Sequence, residues 1–527
     1  MRRFHSYVPV DSDIHFAVPR TELVQDCLNH IVGETGKGGH YFTIWSPRQT
    51  GKTWLMRQVK ARIERDYPDR FVVGTMSMQG LLFLTTEPVG EFLQKVPKLF
   101  LDTFSMDIGP PQTYEQWALF FHRTQGLFKK PLILFVDEFD SLPSGVIDQL
   151  VTLFRDMHLN RSEYMLHGLA LIGVRAALGV DSPRGSPFNI QRSLHVANLT
   201  RDEVVSMFDQ YQTESGQAVD PDVVQQVFEV TLGQPGLVGW FGELLTEKYN
   251  PGMDQPIGRE AWETVYRKAL HVEWNNTVLN LVKKVRTRYT SYVLELFARS
   301  DIGFSMDADW CAYLYLNGII IPQTIEEPGR ETVEVCRFSC PFIQKRLYNA
   351  LTHDLIGDRL PILALEILDD LADVFESNLD LPALLSRYRA YLVRMKAKGL
   401  NPFREQPRRK DLHYTEAVGH FHLYAWLKEA LDRMCIVSPE FPTGNGKVDI
   451  HIRCRDMEGI IEVKSFRSPG KTREAIVQAA DYGKKLGLDA VTLALFVPTD
   501  EKSVLDKLTT RTDIDGVTLD VVAIGWT

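Results

Sequence analysis

The stretch Y-F-T-I-W-S-P-R-Q-T-G-K-T, Tyr41 to Thr53, decides how the first half of this chain folds. Its first five residues are all aromatic or β-branched and read as a strand. Ser46 and Pro47 break that pattern, and the run closes on Gly51-Lys52-Thr53. W-L-M-R-Q-V-K, Trp54 to Lys60, then reads as a helix. Strand, tight loop and helix in that order aim successive backbone N–H groups and the positive helix end at one point, where phosphate oxygens can be held. In such a loop Pro47, Arg48, Gln49, Thr50 and Gly51 form the cradle. Lys52 neutralises the β- and γ-phosphates, and the Thr53 hydroxyl is a ligand for Mg²⁺. Ser46 stands where the first glycine usually does, and serine can also adopt a turn.

A second segment completes the logic. I-L-F-V-D-E-F-D, Ile133 to Asp140, is an apolar strand that delivers two carboxylates at its C-terminal end. Asp137 suits a metal-binding role and Glu138 the orienting of an attacking water, the needs of ATP hydrolysis. Further strand patterns fall at Phe71 to Met76, Leu132 to Val136, Leu169 to Val174 and Leu194 to Ala197, with helical stretches between them. That alternation predicts an α/β fold with a parallel sheet.

With both halves in order, residues from about 10 to 250 resemble P-loop ATPases of the AAA-like or STAND type. The resemblance extends to L-I-G-V-R (Leu171 to Arg175), similar to a sensor strand. It implies that Arg175 faces the γ-phosphate; the alternative is a surface arginine at a strand end. S-P-F-N (Ser186 to Asn189) resembles a recurring segment of the group, and G-Q-P-G-L-V (Gly233 to Val238) resembles the start of its helical subdomain. Arg192 is either a finger for a neighbouring subunit or an ordinary surface charge.

The C-terminal region carries a different chemistry. Asp449 lies in G-K-V-D-I, and I-I-E-V-K (Ile460 to Lys464) follows on the next apolar run. Residues two apart on a strand share a face, so Glu462 and Lys464 point together and Asp449 can meet them across the sheet. Two carboxylates can hold Mg²⁺, with Mn²⁺ an alternative, and a lysine beside them can stabilise a phosphoryl transition state. Glu-Val-Lys alone is a frequent chance triplet. Its surroundings make residues 411–527 resemble the PD-(D/E)XK nuclease superfamily. Glu416, on a helix before the first strand, stands where that superfamily often has an accessory acid and metal ligand. Gln478 and Tyr482, four apart on the helix after the lysine, match the Q-x-x-x-Y pattern of its RecB-like branch. The expected order is helix, three strands, helix, two strands, the last two at Ala490 to Val497 and Leu519 to Ile524. Val448 precedes the aspartate where proline is common. Glu440 is a further ligand or a surface acid.

Between the two regions, residues 251–353 read as helices followed by two β-rich runs, which suggests a winged helix. Residues 354–410 read as a helical connector ending in a basic linker. The chain of 527 residues carries a formal net charge of −9, which excludes a uniformly basic coat but not a local groove. Lys283 to Tyr289, Arg394 to Gly399 and Arg408 to Lys410 are the local positives for DNA phosphates. The winged helix could equally serve an oligomer or protein partner. The six cysteines show no pairing rhythm and read as reduced thiols. The histidines His413, His420 and His422 read as helix-face residues. No apolar run has membrane length, and the expected location is cytoplasmic. The expectation is therefore an α/β protein in four parts: P-loop ATPase (1–250), winged helix (251–353), connector (354–410) and restriction-endonuclease-like domain (411–527). Its expected activity is that of an ATP-regulated, metal-dependent DNA nuclease, which resemblance links to mobile-element defence or DNA repair. The alternative is a nucleotide-dependent switch whose C-terminal domain binds DNA or a partner without cutting.

Overall fold

A computed structural model describes residues 1–7, 10–33, 38–84, 87–173, 193–298, 302–326, 332–356, 371–375, 379–397, 399, 412–431, 434–442, 447–454 and 457–527. The chain divides into two compact units. One comprises 1–277, 313–319 and 339–342; the other comprises 278–312, 320–338 and 343–527. Residues 251–353 thus contribute to both.

The first unit runs α1 (Thr21–Val32), β1 (Tyr41–Trp45), α2 (Lys52–Asp66), β2 (Val72–Ser77), α3 (Pro88–Phe104), α4 (Tyr114–Leu119), β3 (Leu132–Asp137), α5 (Ser144–Leu159), β4 (Leu166–Gly173), β5 (Ser193–His195), α6 (Arg201–Ser215), α7 (Pro221–Thr231), α8 (Pro235–Glu243) and α9 (Arg259–His271). The strands form one sheet in the order β2-β3-β4-β1-β5. Every pairing in it is parallel. Such a sheet is buried on both faces, which is why β1 and β3 are near-continuous apolar runs. One face packs residues such as Phe92, Trp117 and Phe121; the other packs Leu28, Leu55 and Ile63. This mixed architecture fits a P-loop ATPase core.

In the second unit come α10 (Asn276–Thr287, from Val278 onward), α11 (Thr290–Ala298), the start of α12 (Asp309–Leu316) and the antiparallel pair β6 (Ile320–Ile325) and β7 (Val333–Phe338). They are followed by α13 (Pro341–Ile356, from Ile343 onward), α14 (Leu381–Ala397), α15 (Leu412–Leu431), β8 (Ile436–Pro442), β9 (Lys447–Cys454), β10 (Met457–Ser465), α16 (Pro469–Leu486), β11 (Ala490–Val497), α17 (Lys502–Leu508), β12 (Thr510–Ile514) and β13 (Val517–Gly525). The sheet order is β12-β13-β11-β10-β9-β8. Its centre is parallel and its edges antiparallel.

The expected strand-helix order holds here, with two added elements. Between the two closing strands, α17 and the edge strand β12 intervene. T-R-T-D-I is polar and largely exposed, so it lacks the apolar alternation that marks a strand. Its pairing is set by the turn Asp515-Gly516, both at positive φ (51° and 86°), the geometry of a tight hairpin.

The thiol reading is corrected for two of the six cysteines. Cys435 and Cys454 are joined in a disulfide, while Cys27, Cys311, Cys336 and Cys340 are buried and outside any disulfide. Antiparallel pairing of Ile436 with Arg453 brings the two cysteines opposite each other, which linear spacing does not reveal. Among the described residues no helix is long and apolar enough to cross a membrane.

Candidate functional site

The loop after β1 has the backbone its sequence demands. Gln49 and Gly51 are at positive φ (59° and 93°), and α2 begins at Lys52. Ser46 is buried, and its hydroxyl donates to the Val196 carbonyl at 2.8 Å. It therefore anchors the loop start rather than supplying flexibility. Thr50 Oγ1 donates to Pro47 O at 2.9 Å. Helix α8 supports the loop from below: Gly236 N–H donates to Gln49 O at 3.0 Å, and the Gln234 amide reaches Arg48 O (3.2 Å) and Gln49 O (3.3 Å). A Cβ on Gly236 would lie 2.7 Å from Gln49 Cβ, so the close approach requires glycine.

Parallel pairing places the end of β3 at the same edge of the sheet. Thr53 Oγ1 donates to Asp137 Oδ2 at 3.0 Å, joining the two segments that the sequence assigned to one metal. Lys52 Nζ lies over the loop, donating to Ser46 O (2.7 Å) and Pro47 O (2.6 Å). Burial pulls its ammonium down to about 8, against the opposing pull of Asp140 and Asp137. Phosphate oxygens there would raise it again, because a nearby negative charge favours the ammonium. Glu138 follows in a left-handed conformation, φ 53°, a strained backbone of the kind that collects at functional sites. Its carboxyl is raised by desolvation and by Asp137. Arg175, Ser186 to Asn189 and Arg192 lie outside the described residues.

In the second unit the sheet assembles a carboxylate–lysine cluster. Parallel register pairs Glu462 with Leu493 and Lys464 with Leu495. Antiparallel register runs along β9 to Ile461 opposite Ile450, which brings Asp449 beside Glu462. Lys464 Nζ lies 3.2 Å from Asp449 Oδ2, 3.6 Å from Glu462 Oε2 and 3.9 Å from Glu416 Oε1. Asp449 Oδ2 also accepts from the Val463 N–H at 2.7 Å, and Glu416 Oε2 accepts from the Ser465 N–H at 3.0 Å. Glu416 arrives from α15, whose Gly419 faces Phe496 so closely that a Cβ would lie 2.9 Å from its ring.

Burial and the neighbouring Asp449 push Glu462 well above the ordinary carboxylate range, with Lys464 pulling it back. Burial likewise raises Glu416. For Lys464 burial lowers the pKa, but Asp449, Glu416 and Glu462 together hold it above the ordinary lysine value. Glu462 Oε1 is buried with no hydrogen-bond partner among the described residues. A divalent ion would satisfy that oxygen, and two carboxylates suffice for Mg²⁺, which keeps several waters. Asp449 and Glu462 thus fit such an ion. Among the described residues no group of three or more His, Cys, Asp or Glu side chains is arranged to hold a metal. Gln478 is exposed and donates to the Tyr482 hydroxyl at 2.9 Å. Tyr482 is buried, and its pKa is raised by burial and by Glu462, so it borders the cluster. The Glu440 side chain lies outside the described residues.

Two residues read as helix-face positions prove to be interior. His420 Nε2 bonds the Asp449 carbonyl at 2.8 Å, and its Nδ1 meets the Tyr348 hydroxyl at 2.8 Å. His422, two positions on and facing another way, meets the Tyr388 hydroxyl through Nδ1 at 2.7 Å. The signal was the apolar company they keep in A-V-G-H-F-H-L-Y-A-W-L. The basic stretches are partly committed to structure: Arg286 forms two bonds to Asp354 (2.6 and 2.7 Å), and Lys396 bonds Asp500 at 2.6 Å.

No protein-family model and no curated protein matches the chain. Solved structures resemble part of it. A Walker-type ATPase of Pyrococcus abyssi is 14% identical, with TM-score 0.42, covering 65% of this chain and 99% of that one. The Aeropyrum pernix ORC1 protein in complex with DNA is 15% identical, with TM-score 0.32, covering 66% and 95%. The Thermotoga maritima RuvB Holliday junction branch migration motor is 14% identical, with TM-score 0.31, covering 60% and 91%.

Proposed function

We propose that this protein is an ATP-binding, ATP-regulated, metal-dependent DNA nuclease. The observation that carries the nuclease reading is the cluster itself: Lys464 between Asp449 and Glu462, at 3.2 and 3.6 Å, with Glu462 Oε1 buried and without a hydrogen-bond partner among the described residues. Such a cluster is costly to build as mere support, because each buried charge loses its hydration. Asp449 and Glu462 would hold Mg²⁺ or Mn²⁺, with Glu416 nearby. Bound there, the ion would activate a water and offset charge on the phosphate under attack. Lys464 places a positive charge where the pentacovalent phosphorus develops negative charge. Tyr482 and Gln478 border the substrate side of the cluster. In the first unit the loop from Pro47 to Gly51 cradles the triphosphate, Lys52 pairs its charge, Thr53 and Asp137 hold Mg²⁺, and Glu138 orients water. Nucleotide state governs access of DNA to the cluster, and a winged helix within 251–353 serves as DNA or partner contact.

The test is cleavage of plasmid DNA by purified protein in Mg²⁺ or Mn²⁺, with and without ATP. Lys464→Ala should lower cleavage by about 100-fold or more while leaving ATP binding intact. Lys52→Ala should abolish the effect of ATP. No cleavage under any nucleotide condition, or unchanged cleavage by Lys464→Ala, sinks the nuclease reading.

One observation favours a second reading, a nucleotide-dependent switch whose C-terminal domain binds without cutting. It is that no three-residue metal group is preformed among the described residues. Mn²⁺ titration decides: a catalytic site binds the ion and loses it on Asp449→Ala, whereas a binding module is indifferent.

A further inference from the structure

Tyr348, His420 and the Asp449 peptide form one buried chain within the second unit. Tyr348 is fully buried, His420 is 4% exposed and Asp449 8% exposed. Tyr348 sits on α13, His420 on α15 and Asp449 on β9. A carbonyl oxygen can only accept, so His420 Nε2 carries the proton it gives to Asp449 O at 2.8 Å. In the neutral imidazole Nδ1 is then the acceptor, and the Tyr348 hydroxyl donates to it at 2.8 Å. The chain has one polarity and one tautomer, with every group satisfied.

Its end point is where the sheet needs support. The β9–β10 register ends at Ile461 opposite Ile450. Two residues beyond Ile461, the Val463 N–H goes to the Asp449 carboxylate instead of to a β9 carbonyl. The Asp449 carbonyl takes its bond from His420. Backbone and side chain of this residue are therefore held by separate partners, His420 for the one and Val463 with Lys464 for the other. Without the imidazole, the peptide could rotate and carry the carboxylate with it.

Helix α15 contains an internal comparison. Tyr388 and His422 make the same type of bond, at 2.7 Å and equally buried, but against α14 rather than a strand. Both pairs clamp α15; one of them also reaches the cluster.

We infer that Tyr348 and His420 are positioning residues of the carboxylate–lysine site, fixing the Asp449 peptide so that its carboxylate meets Lys464 and the metal. This rests on the metal-site reading above. The experiment is a Mn²⁺ titration of the full chain without nucleotide, with Asp449→Ala as the blank that assigns the site. Tyr348→Phe keeps the ring stacked on Phe421 (centroids 4.3 Å) and deletes only the hydroxyl. It should weaken Mn²⁺ binding about 10-fold, the usual effect of losing a bond behind a metal ligand. Tyr388→Phe should lower the melting temperature comparably and leave Mn²⁺ affinity unchanged. His420→Leu should behave as Tyr348→Phe or worse, and His420→Gln, which retains a donor, should recover much of the affinity. Equal Mn²⁺ affinity in Tyr348→Phe and the unaltered protein, or equal weakening in Tyr388→Phe, overturns the inference. Binding of Mn²⁺ without cleavage defeats the nuclease reading but leaves this one measurable. Absence of both defeats the two together.

Discussion

Gly51 closes the loop between β1 and α2 at φ 93°, and nothing lies within 4 Å of where a Cβ would sit. The demand for glycine is therefore conformational, not steric, and a side chain there costs roughly 1–2 kcal/mol of backbone strain. Gly51→Ala should fold normally and bind ATP about 10-fold more weakly in an equilibrium titration. Undiminished affinity would show that the loop reaches its bound form by another route. His422 offers a second prediction at this scale. Burial pulls its pKa from 6.5 to about 4. The unfolded chain protonates this group below about 6.5 while the folded protein holds it neutral, so the unfolded state binds more protons. Stability is then lost as pH falls from about 6.5 to about 4, by up to about 3 kcal/mol. Urea midpoints across that window should fall less steeply for His422→Gln than for the unaltered protein. Parallel curves would assign the acid sensitivity elsewhere.

At the scale of elements, α15 and the strand pair β9–β10 build the cluster between them. The helix can lie low on the sheet only because Gly419 clears the Phe496 ring. Gly419→Val overpacks that contact, at a cost of about 1–3 kcal/mol. Glu416 lies one turn before it and His420 directly after, so the lifted helix should also weaken Mn²⁺ binding. Melting curves with a metal titration check both; a stable variant with unchanged affinity would remove α15 from the account. The strands were legible where a short apolar run stood between loop signals, as in β1, β3 and β11. The pair β12–β13 was half missed because β12 has almost no apolar face, although Asp515-Gly516 is a hairpin signal in its own right.

For the whole molecule, the chain passes between the two compact units at 277–278, 312–313, 319–320, 338–339 and 342–343. No single cut separates them. Within the second unit, Phe297 and Tyr348 pack on Phe421, and Tyr388 packs on Trp426. A fragment of residues 411–527 loses all three partners. It should show no cooperative unfolding, and Mn²⁺ affinity well below that of the full chain. Cooperative melting with full affinity would show that residues 411–527 are self-sufficient. In the full chain, ATP with Mg²⁺ at about 100 times its dissociation constant should stabilise the first unit by about 2.7 kcal/mol. Calorimetry reads this as a rise in its transition, and Lys52→Ala should cancel it.

The loop from Ser46 to Thr53, the carboxylates Asp137 and Glu138, and the trio Asp449, Glu462 and Lys464 were legible in the residues alone. These follow from local rules: a strand sets alternation, and a loop needs glycine where φ is positive. The tertiary structure decided what stands behind them. Ser46 as an anchor, the seating of the loop on Gln234 and Gly236, the Cys435–Cys454 pairing and the Tyr348–His420 chain each join residues that no periodicity links. The physical reason is burial. A polar group taken out of water must find its partner in space, and that partner is chosen by packing rather than by distance along the chain.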